Sequence, residues 1–141
     1  MSIDVVQPDG WDPPRGYSNG VLVEGAGRFL FVAGQIAWDA QQRLVGAGDF
    51  VTQFGQALAN VVEVVRAAGG EPAHLVRLTV YVTEKRAYLE QLPALGAAYR
   101  AVLGRHYPAM ALVQVAGLVE DGALVEIEAT AALPPVPRGG A

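Results

Sequence analysis

The chain has no cysteine and few charged residues. Because it contains zero cysteines among 141 residues, disulfides, thiolate nucleophiles and cysteine-based metal sites are excluded. Charged residues make up 17% and hydrophobic residues 52% of the chain, which is more apolar than the usual soluble balance. The chain also lacks an uncharged apolar run of about 18 residues, so we expect no membrane span. The surplus apolar surface therefore predicts contacts between subunits.

The charges that are present are acidic in balance. The formal net charge is −4, and the basic residues are scattered, unlike the footprint of a protein that binds nucleic acid. The first residues lack the basic flank and apolar core of a secretory signal. The two histidines have no carboxylate cluster near them, so no metal site is indicated. We therefore expect a cytoplasmic protein without metal or cofactor that binds neither nucleic acid nor a membrane.

Two alternating apolar runs near the C-terminus, 110–118 and 123–132, are separated by Asp121-Gly122. An Asp-Gly pair between alternating runs is a strong hairpin signal, because both central positions of the turn need positive φ. In the second run Glu126 and Glu128 share one face, about 7 Å apart, whereas the opposite face is apolar. The pattern predicts a hairpin whose last strand presents two carboxylates.

The N-terminal part of the chain predicts two more strands. Residues 1–16 are rich in Pro, Gly and Asp and indicate an irregular arm, with Trp11 expected to be buried against the domain. The segments 20–24 and 28–35 flank a Gly-Ala-Gly turn, which predicts a second hairpin. A Pro/Gly-rich tail occupies 134–141, so we predict a single domain over the residues between the arm and the tail, 17–133.

Two helices and a middle strand complete the pattern. Apolar residues recur every three or four positions over 50–68, and Asp49 stands where an N-cap belongs. The polar residues of this helix are predicted to form a solvated stripe: Gln53, Gln56, Asn60 and Glu63. Residues 76–82 alternate like a strand with one core face. A second helix is predicted over 87–103, started or broken near Pro93.

The order of elements predicts the α+β class. Strand–helix–strand crossovers imply parallel neighbours and hairpins imply antiparallel ones, so the sheet should be mixed. Two helices on one face of that sheet make a two-layer sandwich. The uncovered face is left for solvent or for another subunit, and it is predicted to carry Arg77, Tyr81, Gln114, Glu126 and Glu128.

An ordered set of short motifs resembles the Rid family of imine/enamine deaminases, which older labels call endoribonuclease L-PSP. The motifs follow the family's order: Tyr17-Ser18-Asn19-Gly20, FVAGQI at 31–36, Ala68-Gly69-Gly70, VRLTVYVT at 76–83, Tyr107-Pro108-Ala109 and VEIEATA at 125–131. The resemblance covers about 17–133. It implies a chorismate-mutase-like subunit, a homotrimer whose sheets line a barrel, and a ligand-binding cleft at each subunit boundary.

The resemblance also implies site residues. Family members hydrolyse imines and enamines to a keto acid and ammonia, with an Arg that grips the substrate carboxylate and a Glu that orients water. Glu126 matches that catalytic Glu, and Tyr17 matches a tyrosine whose ring faces the ligand. Met110 stands where the family has its Arg, and Ala33 and Leu112 replace its usual Ser and Cys in the substrate-binding cleft.

The absence of that Arg changes the expected substrate. Removing one partner of a buried charge pair costs about 2–5 kcal/mol, and Met supplies adaptable apolar volume without charge. We therefore expect deamination of small imines or enamines other than the usual 2-imino acids, with Arg105 and His106 as candidates for a substitute cation. The alternative is a non-catalytic trimer that binds a small metabolite, with Glu126 on a merely solvated strand face and Met110 in the core. A ribonuclease or translation inhibitor ranks third because of the negative charge.

Overall fold

A four-stranded mixed sheet with helices on one face forms the body of the protein in the computed structural model, which describes residues 1–137. The end of the predicted tail, 138–141, lies outside the described residues. The elements in chain order are β1 (Ser2–Val6), β2 (Gly20–Glu24), β3 (Arg28–Gln35), α1 (Phe50–Ala67), β4 (Leu75–Val82), α2 (Lys85–Leu89), α3 (Leu92–Leu103), β5 (Ala109–Gln114) and β6 (Val125–Leu133).

The main sheet has the strand order β3-β6-β4-β5. The β4–β5 pair is parallel, whereas β6 is antiparallel to both β3 and β4. The predicted α+β class with a mixed sheet is therefore confirmed. Because β6 and β4 each have a neighbour on both sides, β3 and β5 are the two edges of the sheet.

Both predicted hairpins are wrong, although the strands lie close to where the alternation placed them. β2 pairs with β1 in a separate two-stranded sheet, so the segment predicted as an irregular arm contains a strand. Residues 115–124 separate β5 from β6, and Gly122 has φ 83° in a turn within that loop. The Asp-Gly pair thus makes a local turn, and β6 pairs with β3 and β4 instead of β5.

Helix α1 begins and ends nearly as predicted. The carboxylate of Asp49 accepts a hydrogen bond from the backbone N–H of Thr52 at 3.1 Å, and Gly69 follows the helix with φ 83°. The predicted solvated stripe is wrong at Gln53, which is 0% exposed. The predicted interruption of the helix near Pro93 is confirmed, since α2 ends before this residue and Pro93 lies in the first turn of α3. A missing backbone N–H costs nothing at that position.

The uncovered face of the sheet combines polar and aromatic residues. Tyr81 is opposite Glu126 in the β4–β6 register, as the predicted shared face requires. The prediction that Gln114 lies on the uncovered face is wrong, because Gln114 aligns with the core residue Val82 and therefore lies on the helix side of the sheet. Two phenylalanines, Phe29 and Phe31, are 59% and 78% exposed.

The N-terminal arm also departs from expectation at Trp11. Its side chain is 63% exposed, so the predicted burial against the domain is wrong for the single chain. Within residues 1–137, none of the helices combines the length and apolar character that a membrane crossing requires.

Candidate active site

Glu126 lies beside the β3 edge of the sheet, and a glycine makes room for it there. The β3–β6 register shifts between Val32 and Gln35, which displaces the backbone of β3 at Gly34. An ideal Cβ built on Gly34 would overlap the Glu126 carboxylate. The absence of a side chain at this position therefore lets the carboxylate lie directly over the β3 backbone.

The Glu126 carboxylate lines a cavity of about 710 Å³, which we call the acidic pocket. Its lining includes four carboxylates and no Lys, Arg or His; the four are Asp39, Glu63, Glu120 and Glu126. Asp39 pairs with Arg43 at 3.0 Å and Glu63 with Arg66 at 3.6 Å. A backbone hydrogen bond from Arg43 lowers the pKa of Asp39, so this carboxylate is ionised at neutral pH. The pocket therefore favours a ligand that is neutral or positively charged.

Three amide side chains of α1 fix the loops around the acidic pocket. Gln53 donates to the carbonyls of Gly46 and Gly122 at 3.1 and 3.0 Å, and its Oε1 accepts from the N–H of Leu124 at 2.8 Å. Asn60 donates to the carbonyl of Trp38 at 2.8 Å. Every polar atom of the Gln53 side chain thus has a partner, which explains how it is buried at low cost.

Gln56 completes this network. Its Nε2 donates to Asn60 Oδ1 at 2.9 Å and to the Trp38 carbonyl at 3.3 Å. Sequence reasoning missed these supporting residues, because an amide on the polar stripe of a helix has the same pattern whether it faces water or a loop. The signal in the sequence that could have indicated their role is the long glycine-containing loop, 36–48, which directly precedes α1 and needs hydrogen-bond partners.

Met110 lies at the opposite edge of the sheet, on β5. Its register partner is Leu78, a core residue, so the strand turns Met110 toward the helices. Met110 and Leu112 line a cavity of about 330 Å³ between β5 and α3, which we call the β5-edge pocket. Its lining also includes Arg15 and Arg100 and contains no carboxylate.

Aromatic packing holds the β5-edge pocket in place. The rings of Tyr99 and Tyr107 stack with centroids 5.3 Å apart. The hydroxyl of Tyr99 donates to the carbonyl of His106 at 2.6 Å, and burial raises the pKa of Tyr99 well above its ordinary value. Tyr99 is therefore a neutral hydrogen-bond donor throughout the physiological range.

Tyr17 lies close to Met110. The two residues line a small cavity of about 230 Å³ together with Arg77. The neighbouring Ser18 is anchored to the start of β5, since its N–H donates to the carbonyl of Pro108 at 3.1 Å and its hydroxyl donates to the carbonyl of Tyr107. Tyr17 itself is 40% exposed, so its ring is available to a ligand.

Comparison with known proteins gives the family. The family model described as endoribonuclease L-PSP matches residues 10–133. The chain belongs to this family, the Rid family. A crystal structure of a Rid family protein of unknown function from Yersinia pestis matches with a TM-score of 0.83 and 40% identity, over 94% of this chain and 100% of that one.

Curated relatives include a deaminase and a RutC family protein. A 2-iminobutanoate/2-iminopropanoate deaminase from Capra hircus is 32% identical over 120 residues, which cover 85% of this chain and 82% of the relative. A RutC family protein from Pyrococcus horikoshii is 34% identical over 106 residues, which cover 75% of this chain and 80% of the relative. This Rid chain therefore spans most of the length of each relative.

Within one copy of this Rid protein, the predicted site residues fall into two groups. Tyr17, Met110 and Leu112 lie at the β5 edge, whereas Glu126 lies at the β3 edge. Ala33 is exposed on β3 next to Gly34. Glu126 on β6 and Met110 on β5 are separated by β4, and in the single copy the two side chains line different pockets.

In the single chain, neither of the two candidate substitute cations lines the cavities described above. Arg105 is exposed and lines none of the three cavities described above. The Nε2 of His106 lies 2.7 Å from the carbonyl oxygen of Leu75, within hydrogen-bond distance. Residues 1–137 also hold no group of three side chains suited to binding a metal ion.

Proposed function

We propose that three copies of this chain form a ring in which the β3 edge of one copy meets the β5 edge of the next. Contacts between two different surfaces generate closed rings when the rotation closes. The charges of the two edges are complementary: carboxylates such as Glu120 and Glu126 line the acidic pocket, whereas Arg77 lines a cavity at the β5 edge. Complementary charge favours this pairing over like-with-like contacts.

The exposed surface of the single copy supports assembly. Its accessible area is 8429 Å², whereas a compact monomer of 14.8 kDa is expected to expose about 7000 Å². Phe29 and Phe31 on the uncovered sheet face contribute to this excess. In the proposed ring, these side chains are buried by a neighbouring copy.

We further propose that the resulting cleft hydrolyses small imines or enamines. The observation that carries the proposal is the Glu126 carboxylate lying over Gly34 at the wall of a cavity of about 710 Å³. A carboxylate in this position is suited to accept a proton from water. The water oxygen then bonds to the imine carbon, the nitrogen is protonated, and the carbon–nitrogen bond breaks to release ammonia and a carbonyl compound.

The change at the position of the family's Arg sets the expected substrate range. Met110 offers no positive charge to a carboxylate next to the reacting carbon, so the usual 2-imino acids should be poor substrates. Tyr17, beside Met110, would then pack against the body of the substrate. The named activity of the Capra hircus relative supports the reaction class, and Met110 argues for a different member of the substrate class.

The experiment combines assembly with turnover. Sedimentation equilibrium should give the mass of a trimer, and 2-iminopropanoate, generated in the assay from alanine by an amino-acid oxidase, should be hydrolysed slowly. Met110→Arg should raise that rate about 10-fold or more. Glu126→Gln should lower the rate of either protein about 100-fold, which is typical of a lost acid–base group.

Glu128→Gln is the matched control, because this carboxylate lies on the same strand and accepts a hydrogen bond from Tyr81 at 2.8 Å. Its turnover should stay within a few-fold of the parent. A monomeric protein, or full turnover by Glu126→Gln, would contradict the proposal. Ligand binding without turnover in any variant would instead support a binding protein.

A further inference from the structure

Two arginines line the same pocket as the methionine that replaces the family's Arg. The β5-edge pocket has Met110 and Leu112 on its strand side, Arg100 on its helix side and Arg15 from the N-terminal arm. Arg15 is two residues before Tyr17 in the chain, and Arg100 belongs to the last turn of α3. Positive charge is therefore present in this pocket, but it comes from elements other than β5.

A glycine also makes room for the Arg100 guanidinium. An ideal Cβ on Gly96 would lie 3.0 Å from Nη1 of Arg100, so the guanidinium lies back over the preceding turn of α3. Residues four positions apart are neighbours on a helix surface. With glycine at 96, the guanidinium can lie at the pocket wall, close to the helix axis.

Neither guanidinium is neutralised by the rest of the subunit. Among the salt bridges of residues 1–137, none involves Arg15 or Arg100. The remaining lining of the β5-edge pocket is mainly apolar or aromatic, including Leu92, Leu95 and Tyr88. Two unpaired cations beside an apolar cavity form a binding site for an anion that carries an apolar body.

We propose that Arg100, assisted by Arg15, binds the anionic group of the substrate in place of the missing strand Arg. This inference rests on the proposed function, and it specifies the substrate class: imines or enamines with an apolar or aromatic body and an anionic group. The cavity of about 330 Å³ lies at the lower end of the range of about 300–1,000 Å³ for small-molecule pockets. It is larger than a three-carbon imino acid needs.

Binding of a matched pair of probes tests the anion site without requiring turnover. The probes are 3-phenylpropanoate and its neutral isostere 3-phenylpropanamide, measured by calorimetry with the full chain at low salt. The parent protein should bind the carboxylate about 10-fold more tightly than the amide, as expected for a charge-assisted hydrogen bond. Arg100→Met should abolish this preference, Arg15→Met should reduce it, and added salt should weaken it.

Arg105→Met is the control, since Arg105 is exposed and does not line the pocket; it should retain the preference. Equal binding of both probes by the parent, no binding of either probe, or an unchanged preference in Arg100→Met would each overturn the inference. The outcome is separable from that of the proposed function. If the anion site fails, Glu126→Gln still lowers turnover about 100-fold, and if catalysis fails, Arg100→Met still removes the carboxylate preference.

Discussion

The two edges of the sheet each border a cavity, but they are built in different ways. At the β3 edge, amide side chains of α1 such as Gln53 and Asn60 hydrogen-bond to the backbone of the surrounding loops. At the β5 edge, stacked tyrosines and the apolar side chains of Met110 and Leu112 fill the wall. Hydrogen bonds fix direction, whereas apolar packing tolerates exchange of similar volumes.

This difference suggests a division of labour between the edges. In the proposed function, the Glu126 carboxylate must be held within about 0.5 Å of its productive position, and the hydrogen-bonded loop at Trp38 forms part of the wall of the acidic pocket. A wall that accommodates the body of a substrate can change its side chains at small cost. In the single copy, Met110 lies on the packed edge, whereas Glu126 lies beside the hydrogen-bonded edge.

The largest effect should follow from breaking the hydrogen-bonded edge at its centre. Gln53→Leu keeps the apolar volume of α1 but leaves two carbonyls and one N–H without their partner. Because each lost bond to a buried group costs about 1 kcal/mol, we expect the free energy of unfolding to fall by about 3 kcal/mol. Urea denaturation followed by circular dichroism measures this change.

Gln91→Leu provides the same substitution on the other side of the molecule. Gln91 makes a single side-chain hydrogen bond, to the carbonyl of Ala87 at 2.8 Å, so its replacement should cost about 1 kcal/mol or less. Equal losses for the two variants would show that the β3 edge does not depend on buried hydrogen bonds more than the rest of the fold does.

The next largest effect concerns the position of the Glu126 carboxylate. Gly34→Ala places a methyl group where that carboxylate lies, so the side chain must move away from the β3 backbone. We expect turnover to fall about 100-fold, close to the loss for Glu126→Gln, because a displaced base contributes little. Steady-state kinetics on the imine that the parent hydrolyses best provides the measurement.

Gly96→Ala is the corresponding change at the β5 edge. The added methyl group meets only the flexible end of Arg100, which can shift by a few tenths of an ångström. It should alter kcat by less than about 3-fold, the equivalent of about 0.6 kcal/mol. If Gly34→Ala retained full turnover, the carboxylate would not need its observed position.

Periodicity located the elements well, but it could not assign their partners. The bounds of β2, β3 and α1 agree with the prediction to within one residue, since alternation and helical spacing are local properties. Both hairpin predictions were wrong because strand pairing depends on which strand takes the inner position of the sheet, and that is a property of the whole sheet. The prediction that Trp11 is buried was wrong for a related reason. A large apolar side chain favours burial, but its size does not show which surface, if any, it packs against.

The candidate site was predictable only in part. The resemblance to Rid proteins made Glu126, Tyr17 and Met110 candidates because they belong to short motifs, and their roles stay predictions. That β4 separates Glu126 on β6 from Met110 on β5 depends on the sheet order, which no motif contains. The roles of Gln53 and Arg100 arise from contacts between distant segments or along a helix face, so a pattern of residue types could not reveal them.

The smallest effect should come from Tyr99, which belongs to the packed edge. Tyr99→Phe keeps the stacking surface on Tyr107 but removes the hydrogen bond to the carbonyl of His106. At neutral pH we expect a loss of about 1 kcal/mol in the free energy of unfolding, the usual net value of one such bond. Urea denaturation at several pH values measures it.

The raised pKa of Tyr99 also predicts the direction in which the free energy of unfolding changes with pH. Burial raises the pKa of Tyr99 in the folded state, whereas the tyrosine of the unfolded chain has a pKa of about 10. Above about pH 10 the native protein therefore still holds this proton over a range in which the unfolded chain has lost it. Stability of the parent should therefore be constant with respect to this group below about pH 10 and should fall as pH rises further. Tyr99→Phe should show a shallower decline. An identical alkaline slope in both proteins would mean that Tyr99 is more accessible to solvent than the packing of the β5 edge allows.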